Sequence, residues 1–122
     1  RYTATFSKSE RVTIEIEAVR LGYVLLDTVL TVYDPNGHVV ATVDDTPLYK
    51  QDPFVTFVAE IAGEYTIEVR ETAYEGDSRS RYALHVGNFM RPTFVFPLGG
   101  PIGEKLDLTI EGDYATAATY PV

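Results

Sequence analysis

Residues 12–18 read VTIEIEA, and the side-chain types alternate without a break. Val12, Ile14, Ile16 and Ala18 are apolar, while Thr13, Glu15 and Glu17 are polar. Successive side chains of an extended chain point to opposite faces, so this period of two predicts a strand with one face in a core and one in water. A helix would scatter the same apolar positions around its circumference. The pattern recurs on both sides of this segment. YTATF places Tyr2, Ala4 and Phe6 on one face, EYTIEVR places Tyr65, Ile67 and Val69 there, and RYALHV does so through Tyr82, Leu84 and Val86. KLDLTIE repeats it with Leu106, Leu108 and Ile110. With the less regular runs VLTVY (29–33), HVVATV (38–43) and FVTFVA (54–59), about eight strands are expected. Short strands at this spacing predict an all-β fold, an antiparallel β-sandwich of jelly-roll-like type.

Turn chemistry links two of these runs. Asp34-Pro35-Asn36-Gly37 supplies a proline with φ pre-set and an Asn-Gly pair that tolerates positive φ, so VLTVY and HVVATV are expected to form a hairpin. Counting from Asp34 excludes an EF-hand loop, because Gly37 is the fourth residue rather than the sixth and the twelfth is Asp45 rather than Glu. The segment MRPTFVFPLGGPIGE (90–104) is rich in Pro and Gly and reads as a connector. The expected division is a sandwich over residues 1–89 and a connector plus strand over 90–122. That strand either completes the sandwich or begins a following module: Glu10–Ala18 lies over Glu104–Gly112 when the chain is slid by 94 residues, a match that any two amphipathic strands can give by coincidence and that a tandem repeat would also give.

Composition excludes several functions. Hydrophobic residues at 45% and charged residues at 23% are ordinary globular usage, so a folded domain is expected rather than a disordered segment. The net charge of −8 repels phosphate backbones and anionic lipid, which argues against nucleic acid as a partner. The absence of Cys removes disulfides, thiolate metal sites and thiol nucleophiles together. No apolar run approaches the length of a membrane helix, so membrane insertion is not expected. A chain beginning with Arg1 rather than Met reads as a piece of a longer protein.

Four pieces, in order, carry a family resemblance: TFSKSERVTIEIEA, LTVYDPNGHVVATVDD, AGEYTIEV and RYALHV. Together they resemble the bacterial pre-peptidase C-terminal domain family, β-sandwich modules attached to secreted peptidases and other exported proteins. The resemblance implies a non-catalytic accessory module, located outside the cell, on its surface or in the periplasm. Some members, such as the collagen-binding modules of clostridial collagenases, bind calcium. The positions here that match such a site are Asp27, Asp44, Asp45 and Asp52, so calcium is the cofactor the resemblance implies. Asp44 and Asp45 can serve one ion only if the chain turns after the strand, and Thr46-Pro47 suggests that it does.

Catalysis finds little support. His38 follows the tight turn, His85 lies on the outward face of RYALHV, and Ser7, Ser9, Ser78 and Ser80 sit in polar turns with no nucleophile elbow. The pairs Glu15/Glu17 and Glu68/Glu71 read as charged outer strand faces rather than a glycosidase pair. Tyr23, Tyr33, Tyr49 and Tyr74 fall at strand ends or loops, where a flat ring can stack on a sugar or lie against a fibrous protein. Three readings follow. The first is an accessory or spacer module that contacts neighbouring domains of its parent chain and an extracellular polymer. The second is a dedicated carbohydrate- or collagen-type binding module using the tyrosines, and the third is a structural repeat unit of a tandem array.

Overall fold

The structure, a computed structural model, describes residues 1–23, 25–46, 51–74, 78–113 and 118–121. The chain divides into two compact units, Arg1–Asn88 and Phe89–Val122.

In the first unit the strands are β1 (Tyr2–Phe6), β2 (Arg11–Glu17), β3 (Thr28–Tyr33), β4 (Val39–Val43), β5 (Phe54–Val58), β6 (Gly63–Glu71) and β7 (Ala83–Gly87). They form a four-stranded antiparallel sheet in the order β1-β6-β3-β4 and a three-stranded one in the order β5-β2-β7. Both sheets feed one core. Val12, Ile14 and Ile16 from β2 are buried with Leu30 and Val32 from β3 and Tyr65 and Ile67 from β6. The aromatic rings of Phe6, Phe57 and Tyr65 bridge the two sheets, with centroids 5.2 Å (Phe6–Tyr65) and 5.9 Å (Phe57–Tyr65) apart. The Tyr65 hydroxyl donates to the Ile61 carbonyl at 2.9 Å, which satisfies the polar end of a buried ring.

This is the all-β sandwich that the alternation predicts, built from seven strands, four facing three. The eighth period-two run forms no part of these two sheets. In the second unit, β8 (Arg91–Phe96), β9 (Asp107–Asp113) and β10 (Ala118–Pro121) make a separate antiparallel sheet in the order β10-β9-β8. Phe94, Phe96, Leu98 and Ile102 of this unit are exposed.

The hairpin between β3 and β4 is present, and Asp34 organises it. Its carboxylate accepts from the backbone N–H groups of Asn36 and His38, both at 2.8 Å, while its own carbonyl accepts from Gly37 N–H at 2.9 Å. Gly37 takes φ +84°, which L side chains rarely adopt. Gly63 packs against this turn: at φ +145°, an added Cβ would stand 2.8 Å from Pro35 Cγ.

Several inward and outward assignments differ from the alternation: Tyr2 and Val86, read as inward, are exposed, and Thr13 and Glu15, read as outward, are buried. Tyr2 is 46% exposed and donates or accepts one hydrogen bond with the Tyr82 hydroxyl at 2.6 Å, because it starts an edge strand beyond the core's end. Glu15 lies on the outer face of β2 yet is 0% exposed. Arg20, in the 3₁₀ turn Val19–Leu21, folds back over it, and its Nη2 donates to Glu15 Oε1 at 2.6 Å. The outer face of a central strand is therefore roofed by a charged side chain five positions along, not left in water.

Candidate functional site

Strand pairing brings three loops to one end of the sandwich. β3 begins opposite the end of β6, with Thr28 facing Glu71, and the end of β4 faces β3 through Val43 and Leu30. Asp27, just before β3, therefore meets the residues that follow β4. The chain leaves β4 at Val43, and the Asp27, Asp44 and Asp45 carboxylates come together, with one oxygen of each lying within 4.8 Å of the others. Thr72 fixes the Asp27 backbone, its N–H donating to the Asp27 carbonyl at 2.9 Å.

The three carboxylates stand close enough to repel one another. Asp27 Oδ1 is buried and accepts no hydrogen bond among the described residues. Burial pushes the Asp27 carboxyl above the usual carboxylate range, the Asp44 charge pushes it further, the Thr72 hydroxyl partly offsets this, and Asp45 and Glu71 add to the rise. A hard divalent ion held at about 2.4 Å from each oxygen spans up to about 4.8 Å between ligands, so the spacing suits calcium. Three carboxylates would fill part of its shell, and backbone carbonyls or water the remainder. Glu71 is not singled out as a metal neighbour in the sequence, where it reads together with Glu68 as an outer strand face; only the β3–β6 pairing, with Thr28 opposite Glu71, shows its place beside Asp27.

Asp52 is not a member of this group. It is 0% exposed, and its Oδ1 accepts from the N–H groups of Ala18 (3.0 Å) and Val19 (2.8 Å). Its Oδ2 accepts from Arg20 N–H (3.2 Å) and Arg20 Nε (2.7 Å). Burial alone would raise its pKa, but the Arg20 side chain and the three backbone donors outweigh that and hold it below the usual range. With its lone pairs spent on protein donors, Asp52 pins the loop before β5 to the 3₁₀ turn. No sequence signal marked this role, because Arg20 lies 32 positions away and acts only through the fold.

Of the four tyrosines named from the sequence, three fall within the described residues. Tyr23 is 74% and Tyr74 78% exposed, and both lie on loops that enter β3 or leave β6 at the Asp27 end. The Arg70 guanidinium carbon sits 5.2 Å from the Tyr74 ring centroid, holding the ring by a cation–π contact. Tyr33 is half-buried, and its hydroxyl donates to Glu68 at 3.4 Å. Tyr49 lies outside the described residues.

The acidic and histidine side chains considered for catalysis are engaged structurally. Glu68 pairs with Arg1, which together with lesser contributions, including the Tyr33 hydroxyl, holds its carboxyl below the usual range. His38 Nδ1 lies 3.3 Å from Asp34 Oδ2, and His85 Nε2 lies 3.4 Å from Glu17 Oε2, both on exposed faces. A glycosidase needs its carboxyl pair open to a bound sugar, whereas Glu15 is buried beneath Arg20, whose Nη2 donates to its Oε1 at 2.6 Å.

A two-sheet antiparallel sandwich with an acidic cluster at one end defines the class, an all-β sandwich module. The family model for the bacterial pre-peptidase C-terminal domain matches residues 1–71, from β1 through β6, and the chain belongs to that family. Domains of this family are typically non-catalytic and occur in secreted bacterial proteins. β7 follows the matched residues. No curated protein and no solved structure matches the chain. No helix among the described residues is long and apolar enough to cross a membrane.

Proposed function

We propose that this chain serves as a non-catalytic accessory module of a secreted or surface-attached bacterial protein, spacing or holding a neighbouring domain, with a low-affinity calcium site at Asp27, Asp44 and Asp45. The convergence of three carboxylates, one of them with a buried oxygen that accepts no hydrogen bond among the described residues, carries the reading. Calcium there offsets the burial and the neighbouring carboxylate charges that raise the Asp27 pKa, and ties the loop after β4 to the start of β3. Extracellular modules of this kind bind with Kd of about 10⁻⁴–10⁻³ M. At ten times Kd the ion adds about 1.4 kcal/mol to stability, a rise in melting temperature of about 5 °C. Calorimetric titration of calcium into chelator-treated protein, beside a thermal melt, tests this. Heat and a raised Tm that vanish in Asp44→Ala plus Asp45→Ala support the site; neither signal at millimolar calcium rejects it.

A second reading, contact with an extracellular polysaccharide or fibrous protein, is favoured by the exposed Tyr23 and Tyr74 on loops at the same end as the carboxylates. Retention on a panel of insoluble polysaccharides and collagens, with and without calcium, separates a binding module from a pure spacer. Residues 90–122 we read as a connector leading to a neighbouring module, since β9 is the central strand of its own small sheet.

A further inference from the structure

Tyr2 and Tyr82 stand 80 positions apart in the chain, and their hydroxyls lie 2.6 Å from each other. Tyr2 opens β1, an edge of the four-stranded sheet, and Tyr82 immediately precedes β7, an edge of the three-stranded sheet. Backbone pairing does not join these two edges, since β1 pairs with β6 and β7 with β2. The phenol pair therefore ties one sheet to the other through side chains alone. Tyr82 packs half-buried against the core, whereas Tyr2 is 46% exposed and open to small reagents.

The surroundings of this pair differ from those of other tyrosines in the chain. The Tyr65 hydroxyl donates to the Ile61 carbonyl, the Tyr33 hydroxyl donates to Glu68, and the Tyr74 ring lies under Arg70. At Tyr2 and Tyr82 a phenol meets a phenol. Burial and the contact with Tyr2 push the Tyr82 pKa up to about 12, so the Tyr82 hydroxyl keeps its proton at neutral pH. Loss of an electron and that proton leaves a phenoxyl radical, whose unpaired spin is shared with the ortho carbons of the ring. Each ortho carbon is two bonds from its own hydroxyl oxygen, so hydroxyls in contact bring ortho carbons of both rings within reach of each other. Holding two reactants together in this way makes their coupling intramolecular and favours it over encounters between molecules. Composition directs oxidation to the same residue type. The chain has no Cys, no Trp and one Met against nine Tyr.

We propose that Tyr2 and Tyr82 are a site of oxidative coupling, joined through their ortho carbons into a dityrosine by hydrogen peroxide acting through a haem peroxidase. Each ring gives up one electron and its phenolic proton. The two radicals form one carbon–carbon bond, and the hydrogen on each bonded ortho carbon moves to the ring oxygen and restores the phenol. The two electrons and two protons go to the peroxide, whose O–O bond breaks to give two molecules of water. The new bond closes a loop spanning 80 positions and fixes the β1 edge to the β7 edge. It restricts the unfolded chain as a disulfide would, in a protein that has no cysteine to form one. Asp27, Asp44 and Asp45 take no part, so the coupling site stands or falls independently of calcium.

The test exposes the full chain, dilute and in chelator, to stoichiometric hydrogen peroxide and a catalytic amount of haem peroxidase. The expected product is a monomer with dityrosine fluorescence, an intact mass lower by two hydrogens, and a cross-linked peptide pair that contains Tyr2 and Tyr82. Linked protein is expected to melt about 10–20 °C higher than unlinked, as a covalent loop of this length in a domain of this size should. Tyr2→Phe and, separately, Tyr82→Phe should abolish the monomeric product. Tyr23→Phe with Tyr74→Phe, which removes two far more exposed phenols, should leave it intact. Unchanged melting curves before oxidation show that the variants fold, and the link mapped in the wild type does not depend on them. Absence of the monomeric product overturns the proposal, as do a link that maps to other tyrosines, cross-linked dimers alone, or a product that survives both single variants. A linked monomer that melts no higher than the unlinked chain overturns the bond's role as a staple.

Discussion

Replacing Asp52 by Asn removes one negative charge from a fully buried position and turns one acceptor oxygen into a donor. In the wild type four donors converge on this carboxylate, two on each oxygen, at 2.7–3.2 Å. Whichever way the amide faces, two of them meet an NH₂ group instead of an oxygen. Each buried donor left unsatisfied costs about 1–3 kcal/mol, and breaking a buried ion pair costs about 3–5 kcal/mol. Arg20 keeps Glu15 as a partner at 2.6 Å, which limits the damage to the lower part of that range. A loss of about 3–4 kcal/mol is expected, against a total of about 5–15 kcal/mol for a domain. In urea this lowers the unfolding midpoint by about 1.5 M or more, at an m-value of about 2 kcal/mol/M. The pH dependence adds a sign. Asp52 has a folded pKa below its ordinary 3.8, so its contribution is present above that value and is lost as pH falls through the folded pKa. The gap between wild type and Asp52→Asn should therefore be full at neutral pH and close in acid. A loss under about 1 kcal/mol, or a gap that does not close in acid, would refute the structural role; loss of the calcium response with stability intact would return Asp52 to the metal site.

Asp27→Asn should act in the opposite sense. With a raised folded pKa, the Asp27 carboxyl favours the fold below its ordinary value and weighs against it as pH rises through the folded pKa, so in chelator at pH 7 the variant is expected to melt higher than wild type and to gain nothing from calcium. Gly63→Ala should cost about 1–3 kcal/mol in urea unfolding, since φ is +145° and the new Cβ would stand 2.8 Å from Pro35 Cγ; a neutral result would show that the hairpin turn yields freely. Tyr23→Ala with Tyr74→Ala should leave Tm within about 2 °C while reducing retention on whichever polymer the wild type binds, because both rings are exposed; a large drop in Tm would make them packing residues instead.

Alternation of side chains was sufficient for the strands, because burial of one face imposes period two on local sequence: Val12, Ile14 and Ile16 of VTIEIEA enter the core as their pattern requires. Turn chemistry was equally local, and Asp34 and Gly37 carry the hairpin within four residues. The quoted segments also identified the family, and two of the acidic stretches met at one end of the sandwich. What the tertiary structure alone decided were relations between distant segments. Glu15 and Asp52 look alike in sequence, polar residues on a strand face and in a loop, yet Arg20 buries both by folding between them. Asp27 becomes the strained member of an acidic cluster only because β3 pairs with β4 and β6. The division into sheets of four and three strands is likewise a matter of pairing order, which no single strand's pattern contains.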